Sequence, residues 1–440
     1  MTPLLRERVG DMTRAAAPRS FGRVTTVVGL RVTVEGVDAR LGDLVRIGSD
    51  RDAIFAEVVA IDGERLNCLP LGPLHGIGAG SPVLATGGPL MVPVGGALRG
   101  RVLDGLARPM DGGEPLRGCD WVALDAAPPP ALDRQRVLAP MTLGVRALDT
   151  LVPCGRGQRM GIFAGSGVGK SSLMSMITRG TTAEITVVAL IGERGREVRE
   201  FIENDLGPEG LANAIVVVAT SDQPPLVRLR AGFVATRIAE WYRDQGSDVL
   251  LLMDSLTRTA MAQREVGLSV GEPPATRGYP PSVFGTLASL LERAGPGAVG
   301  SITGLYTVLV EGDDHNEPIA DAARSILDGH IVLDRRLATA GHFPTIEPLD
   351  SISRVANAVT TPEQRAQATA LRRLLAAHRE VRELVEIGAY VPGTNAEADI
   401  ARAKWPEIQS FLRQDLAETT SAEAAWAHLQ SLLDASEVSL

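Results

Sequence analysis

Ala164-Gly165-Ser166-Gly167-Val168-Gly169-Lys170-Ser171 packs three glycines, an ammonium and two hydroxyls into eight residues. The chain holds 44 basic residues but only two lysines, and one of them is Lys170. A compact charge on a flexible stem follows a phosphate that moves better than a planar guanidinium does. Gly165, Gly167 and Gly169 let backbone N–H groups converge on an anion, and a helix start directly after them adds its dipole. Ser166, Val168 and Ser172 complete the candidate cradle, and Ser171 offers its hydroxyl to a magnesium ion travelling with the phosphates. Ala164 stands where the usual pattern has its first glycine. Met160–Phe163 reads as the end of a buried strand and Leu173–Ile177 as an apolar helix, so the order is strand, loop, helix. That order points to a bound nucleoside triphosphate.

Two further constellations fit the same chemistry. The apolar run 249–253 ends in Asp254, and a carboxylate at the tip of a buried parallel strand faces the crevice where such sheets bind ligands. There it is expected to hold the magnesium shell, through water. The apolar run 185–191 is followed by Gly192-Glu193-Arg194-Gly195-Arg196-Glu197. A glutamate beside a terminal phosphate can deprotonate a water, and a neighbouring guanidinium can bind phosphate oxygens. Spacing alone does not say which of the four charged residues takes which part.

These residues need a frame. From about 140 to 350, apolar runs (185–191, 215–219, 249–253) alternate with helical patterns, as in an α/β domain with a parallel sheet. Ahead of it, from about 20 to 92, short β-branched runs (24–28, 30–34, 45–47, 55–61) and the turn signal Asp62-Gly63 predict a small β-barrel. Turn-rich stretches at 95–96, 111–113 and 128–130 separate the two. Beyond about 365, Leu371, Leu374, Leu375, Val381, Leu384 and Val385 recur at helical spacing, and a helical C-terminal domain is expected. The division is therefore 1–18, a short amphipathic segment; 19–92, the barrel; 93–365, the nucleotide domain; and 366–440, the helical domain.

Bulk properties narrow the function. A net charge of −9 argues against general electrostatic binding of nucleic acid. No apolar run reaches the roughly 18 to 20 residues that span a bilayer, and the first residues lack a signal-peptide core, so the cytoplasm is expected. Cys68, Cys119 and Cys154 form no paired spacing and read as reduced structural thiols; the six histidines form no metal pattern.

Longer stretches carry a resemblance. Gly192–Glu203, Ala219–Pro225, Gly271–Ser282 (Gly-Glu-Pro-Pro-Ala-Thr-Arg-Gly-Tyr-Pro-Pro-Ser) and Leu309–Asp314 make the chain resemble the RecA-type hexameric ATPases related to the catalytic subunit of rotary ATP synthases. It more closely resembles the ATPases of bacterial type III protein export. The resemblance runs from about residue 20 to the end and implies a RecA-like nucleotide domain that hydrolyses ATP with Mg2+. By position it makes Glu193 the general base, Arg194 a γ-phosphate ligand and Arg258 a further active-site arginine. It places Phe343 against the adenine and makes Arg354 a finger reaching into a neighbour's site. Thr345 and Glu347 depart from the family pattern, which has a smaller residue and Asp there. A finger supplied in trans implies a ring, six identical subunits around a pore. The resemblance also implies a dimeric regulator on residues 1–18, a central stalk protein, export substrate–chaperone complexes and a membrane export gate. The chain would then sit peripherally at the inner-membrane export apparatus.

Leu384–Asn395 looks more like the flagellar group than the virulence-injectisome group. A rotary ATP synthase subunit is the competing reading; the Gly192–Val198 loop, the Gly271–Pro281 segment and the lack of a strongly acidic C-terminal cluster stand against it. An RNA translocase is disfavoured by the acidic balance and by the absence of an aromatic-basic platform in residues 20–92. A catalytically silent scaffold would require loss of Lys170 or Glu193, and both are present.

Overall fold

Alternate residues turn inward along the first strands. In β2 (Arg31–Glu35) Val32 and Val34 are buried while their neighbours are only partly so, the period-2 pattern of a half-buried strand. The computed structural model describes residues 21–49, 53–310 and 317–434. The expected regulator-binding segment 1–18 lies outside them, as do residues 311–314 of the Leu309–Asp314 stretch. With β1 (Phe21–Val28), β3 (Asp43–Ile47), β4 (Ile54–Asp62), β5 (Arg65–Pro70) and β6 (Pro82–Pro89), β2 closes a barrel in the order β1, β2, β5, β4, β3, β6. β6 pairs back onto β1, so no strand edge is left open. Val24, Val32, Val45, Ile47, Val58 and Cys68 fill the interior. The β4–β5 hairpin turns at Gly63 and Glu64, with Asp62 already paired to Arg65, one residue later than the Asp62-Gly63 signal suggests. Gly63 takes the positive φ.

The second sheet is mostly parallel. Its order is Ile352–Ser353, Gly329–Val332, Arg159–Ala164, Ser301–Leu309, Asp248–Asp254, Ile185–Ile191, Ala214–Ala219, Val102–Asp104. Every residue of Ile185–Ile191 and Ala214–Ala219 is buried, which is why these strands read as unbroken apolar runs rather than alternating ones. Parallel register brings Leu190 beside Asp254 and Met253 beside Tyr306. The carboxyl ends of the central strands therefore share one edge.

Thr361 and Gln364 form a reciprocal cap that starts the long helix Pro362–Glu386. Ala396–Ala403, Trp405–Leu412 and Ala422–Asp434 follow it. Leu371, Leu375, Ile408, Phe411, Leu429 and Leu432 belong to the same apolar core as Leu148, Leu151 and Ile177. Leu371 and Leu375 are buried as their spacing predicts, whereas Leu384 and Val385 are 45% and 36% exposed. The described residues form two compact units. One is the barrel through Met91 with Pro224–Leu226 and Glu265–Pro273; the other contains the sheet and the C-terminal helices together. All three cysteines are unpaired, and burial pushes the Cys68 thiol up to about 12.

Candidate active site

The strand Arg159–Ala164 delivers the glycine-rich loop to the carboxyl edge of the sheet. Gly167 and Gly169 adopt φ of 74° and 92°, a region that only glycine enters without strain. Val168 between them is buried and pins the loop to the core. The helix Lys170–Gly180 starts from Gly169 with no side-chain cap. Its first N–H groups thus remain for an anion, and Ser171 and Ser172 lie in that first turn.

Lys170, Glu193 and Asp254 meet. The Lys170 ammonium donates to Asp254 Oδ1 and lies 3.3 Å from Glu193 Oε1. Asp254 Oδ1 also accepts from the Thr307 hydroxyl at 2.6 Å. Asp254 is 3% exposed. Burial works against the ammonium, but the two carboxylates outweigh it and raise the Lys170 pKa. Burial also raises the Glu193 pKa, reinforced by Asp254 and by a hydrogen bond with Glu197, against the pull of Lys170. A carboxylate with raised proton affinity is better matched to accepting a proton from water.

The arginines divide. Arg194 points outward, its side chain 79% exposed and paired with Glu197 at 2.9 Å, and it does not join the Lys170 cluster. Glu197 is held below its ordinary range first by its hydrogen bond with Glu193 and then by Arg194. Arg258 stays close: a Cβ at Gly192 would lie 3.0 Å from Arg258 Cβ, so the arginine stem covers the residue before Glu193. Its Nε is buried and has no hydrogen-bond partner among the described residues.

Phe343 lies over the loop. A Cβ at Gly169 would be 3.5 Å from Phe343 Cδ1 and Cε1, and the ring is 47% exposed. Thr345 donates its hydroxyl to the Val168 carbonyl at 2.6 Å. Thr345, one of the two residues that depart from the expected family pattern, therefore ties this segment to the glycine-rich loop. Arg354 is exposed, its guanidinium donating to the Arg324 carbonyl at 3.2 Å; it does not approach its own chain's Lys170 cluster through any hydrogen bond or ion pair among the described residues.

The profile of the ATP synthase alpha/beta family, nucleotide-binding domain, matches residues 144–353, and that of the T3SS EscN ATPase C-terminal domain matches residues 360–431. The flagellum-specific ATP synthase of Bacillus subtilis is 49% identical over 95% of this chain and 96% of its own. The chain belongs to the type III export branch of the ATP synthase alpha/beta family. The type 3 secretion system ATPase of Xanthomonas euvesicatoria is similar too, 47% identical over 98% of this chain and 99% of its own. Among solved structures, the assembled ATPase EscN in complex with its central stalk EscO, from enteropathogenic E. coli, is 44% identical with a TM-score of 0.87. That match covers 94% of this chain and 100% of EscN.

As a type III export ATPase, the chain is an ATP-hydrolysing enzyme with a RecA-like α/β domain. Thr307 is a member of the site that sequence reasoning missed. It sits in the fully buried run Ser301–Val308 and looks like β-branched core; only the parallel register, which pairs Met253 with Tyr306, brings it beside Asp254. Glu197 was legible as a charge but not as the partner of Glu193.

Proposed function

We propose that this ATPase serves flagellar type III protein export. The observation that carries the catalytic part is the meeting of Lys170, Glu193 and Asp254 at the carboxyl edge of the sheet. ATP would lie with its phosphates on the Gly165–Ser172 N–H groups and its base against Phe343. Glu193 would take a proton from the attacking water as its oxygen bonds to the γ-phosphorus and the bond to ADP breaks. Lys170 and Arg258 would hold the charge on the transferring group. Arg194 would serve only after leaving Glu197 for the phosphate. Ser171 and Asp254 suit Mg2+, which keeps most of its waters and shares phosphate oxygens rather than needing a protein cage. The ion would neutralise charge between the β- and γ-phosphates. Arg354, exposed on its own subunit, fits a finger that completes a neighbour's site in a homohexamer.

The division 1–18, 19–92, 93–365 and 366–440 is kept as a functional one: regulator-binding segment, barrel, ATPase domain, helical domain. By analogy with EscN and EscO, a central stalk protein is expected in the ring. A dimeric regulator, substrate–chaperone complexes and a membrane gate complete the proposed partners. No helix among the described residues is long and apolar enough to cross a membrane, and peripheral association with the inner-membrane apparatus is the expected location.

The deciding experiment is deletion of the gene in its host, scoring swimming, filament protein export and respiratory growth together. Loss of swimming and export with normal growth supports the flagellar reading. Intact swimming with loss of another secreted set moves the protein to an injectisome, a reading favoured by the similarity to the Xanthomonas ATPase. A respiratory defect would make it a rotary synthase subunit.

A further inference from the structure

The segment joining the last two helices touches the nucleotide site from behind. Gln414, 4% exposed, follows the helix Trp405–Leu412. Its side-chain amide is fully engaged: Nε2 donates to the carbonyls of Gly144 at 2.8 Å and Glu418 at 2.9 Å. Its Oε1 accepts from Arg146 N at 2.9 Å. Its own backbone N–H donates to the Phe343 carbonyl at 3.0 Å.

The surrounding contacts make this segment a fixed reference. The buried Arg146 guanidinium donates to the carbonyls of Phe411 and Arg413 and pairs with Glu418. Gly144 meets the end of the phosphate-loop helix so closely that a Cβ on it would lie 2.5 Å from Gly180 Cα. Arg179, in that helix's last turn, donates to the Leu416 carbonyl. Residues 411–420 thus grip the far end of the phosphate-loop helix and, through Gln414, the carbonyl of Phe343. The Phe343 ring, half exposed, has little core of its own to hold it.

We infer that Gln414 is a positioning residue for base recognition: it sets the ring of Phe343 over the glycine-rich loop, so that the C-terminal helices govern how tightly the base is held. This rests on the reading of Phe343 as the adenine contact. The phosphates are held by other groups, Lys170 and the loop amides, so the two parts of the ligand separate experimentally. A residue acting through Phe343 affects the base and not the triphosphate.

The test measures Mg2+-dependent binding of ATP and of inorganic tripolyphosphate to the full chain carrying Gln414→Glu, Gln414→Ala or Phe343→Ala. Gln414→Glu keeps the shape and the acceptor for Arg146 N, and its folding is checked by circular dichroism. The expected result for the Gln414 variants is about tenfold weaker ATP binding with tripolyphosphate binding unchanged, in step with Phe343→Ala. Equal weakening of both ligands in Gln414→Glu and Gln414→Ala would reduce Gln414 to a structural part and overturn the inference. So would unchanged ATP binding in both, with Phe343→Ala still narrowing the preference for ATP. No change of preference in Phe343→Ala overturns the adenine reading, and this inference with it.

Discussion

Glu193 Oε1 lies 3.3 Å from the Lys170 ammonium, so the proposed general base and the proposed phosphate ligand are paired with each other. On that proposal, an arriving γ-phosphate would compete with Glu193 and Asp254 for Lys170. Its binding would free Glu193 from the cation that lowers its proton affinity. Phosphate capture and base activation would thereby be joined in one rearrangement.

Glu193→Gln keeps the shape of the side chain and removes the proton acceptor. Turnover should fall by about 10² to 10⁴ while ATP affinity stays within a few-fold. Single-turnover hydrolysis beside equilibrium binding measures both, and near-native turnover would remove Glu193 from the role.

Lys170→Ala should abolish turnover and weaken ATP binding. It also takes from Glu193 the cation that pulls its proton affinity down, so the folded pKa of Glu193 rises further. A carboxylate whose folded pKa is raised stabilises at low pH and loses that contribution as pH rises. The variant's melting temperature should therefore lie closer to the native one at pH 5.5 than at pH 8. A gap that does not depend on pH would show that Lys170 does not lower the proton affinity of Glu193.

Thr345→Val removes the hydroxyl bonded to the Val168 carbonyl at 2.6 Å and leaves that buried acceptor unmet. A loss of about 1 to 2 kcal/mol is expected, with a severalfold higher KM for ATP because the loop loses its tether. Thr345→Ser should restore both. Denaturant melts and steady-state kinetics on the two variants decide the matter.

Arg354 is exposed, so Arg354→Ala should leave stability within about 0.5 kcal/mol while turnover drops by about 10³ or more. Mixing it with Glu193→Gln provides a sharper check. Each variant is inactive alone, but an interface that pairs Glu193 of one subunit with Arg354 of the other rebuilds a whole site. Partial recovery on mixing is the expected outcome, and none would refute the trans arrangement.

His342 is 4% exposed and its Nδ1 has no hydrogen-bond partner among the described residues. Burial, aided by Arg413, pushes its pKa down to about 4. Between pH 6.5 and 4 the unfolded chain takes up a proton that the fold refuses, so stability falls as the pH is lowered through that window. His342→Leu should flatten this part of the stability profile. An unchanged slope in urea titrations at pH 6.5 and 4.5 would exclude the imidazole as its source.

The parts of this molecule legible in its sequence are those set by local pattern. Gly165–Lys170 declares itself because positive φ and a helix start are properties of neighbouring residues. The runs at 185–191 and 249–253 declare themselves because strands buried on both faces need unbroken apolar sequence. Thr307 and Gln414 stayed silent because their roles depend on register and on contacts between residues far apart in the chain, and Glu197 because spacing does not say which of its charged neighbours it pairs with. Leu384 and Val385 continue a helical spacing whose inner face ends one turn earlier, at Val381. Periodicity gives the helix but not the point at which its covering neighbour stops.

With two lysines in 440 residues, this enzyme carries almost no side-chain amines beyond Lys170 in the proposed phosphate site. The other, Lys404, donates to the Leu432 carbonyl at 2.7 Å and is partly covered. Lys170, held as a largely buried ammonium between two carboxylates, should therefore resist amine-directed labelling, and the slow reaction that remains would report how often that pocket opens.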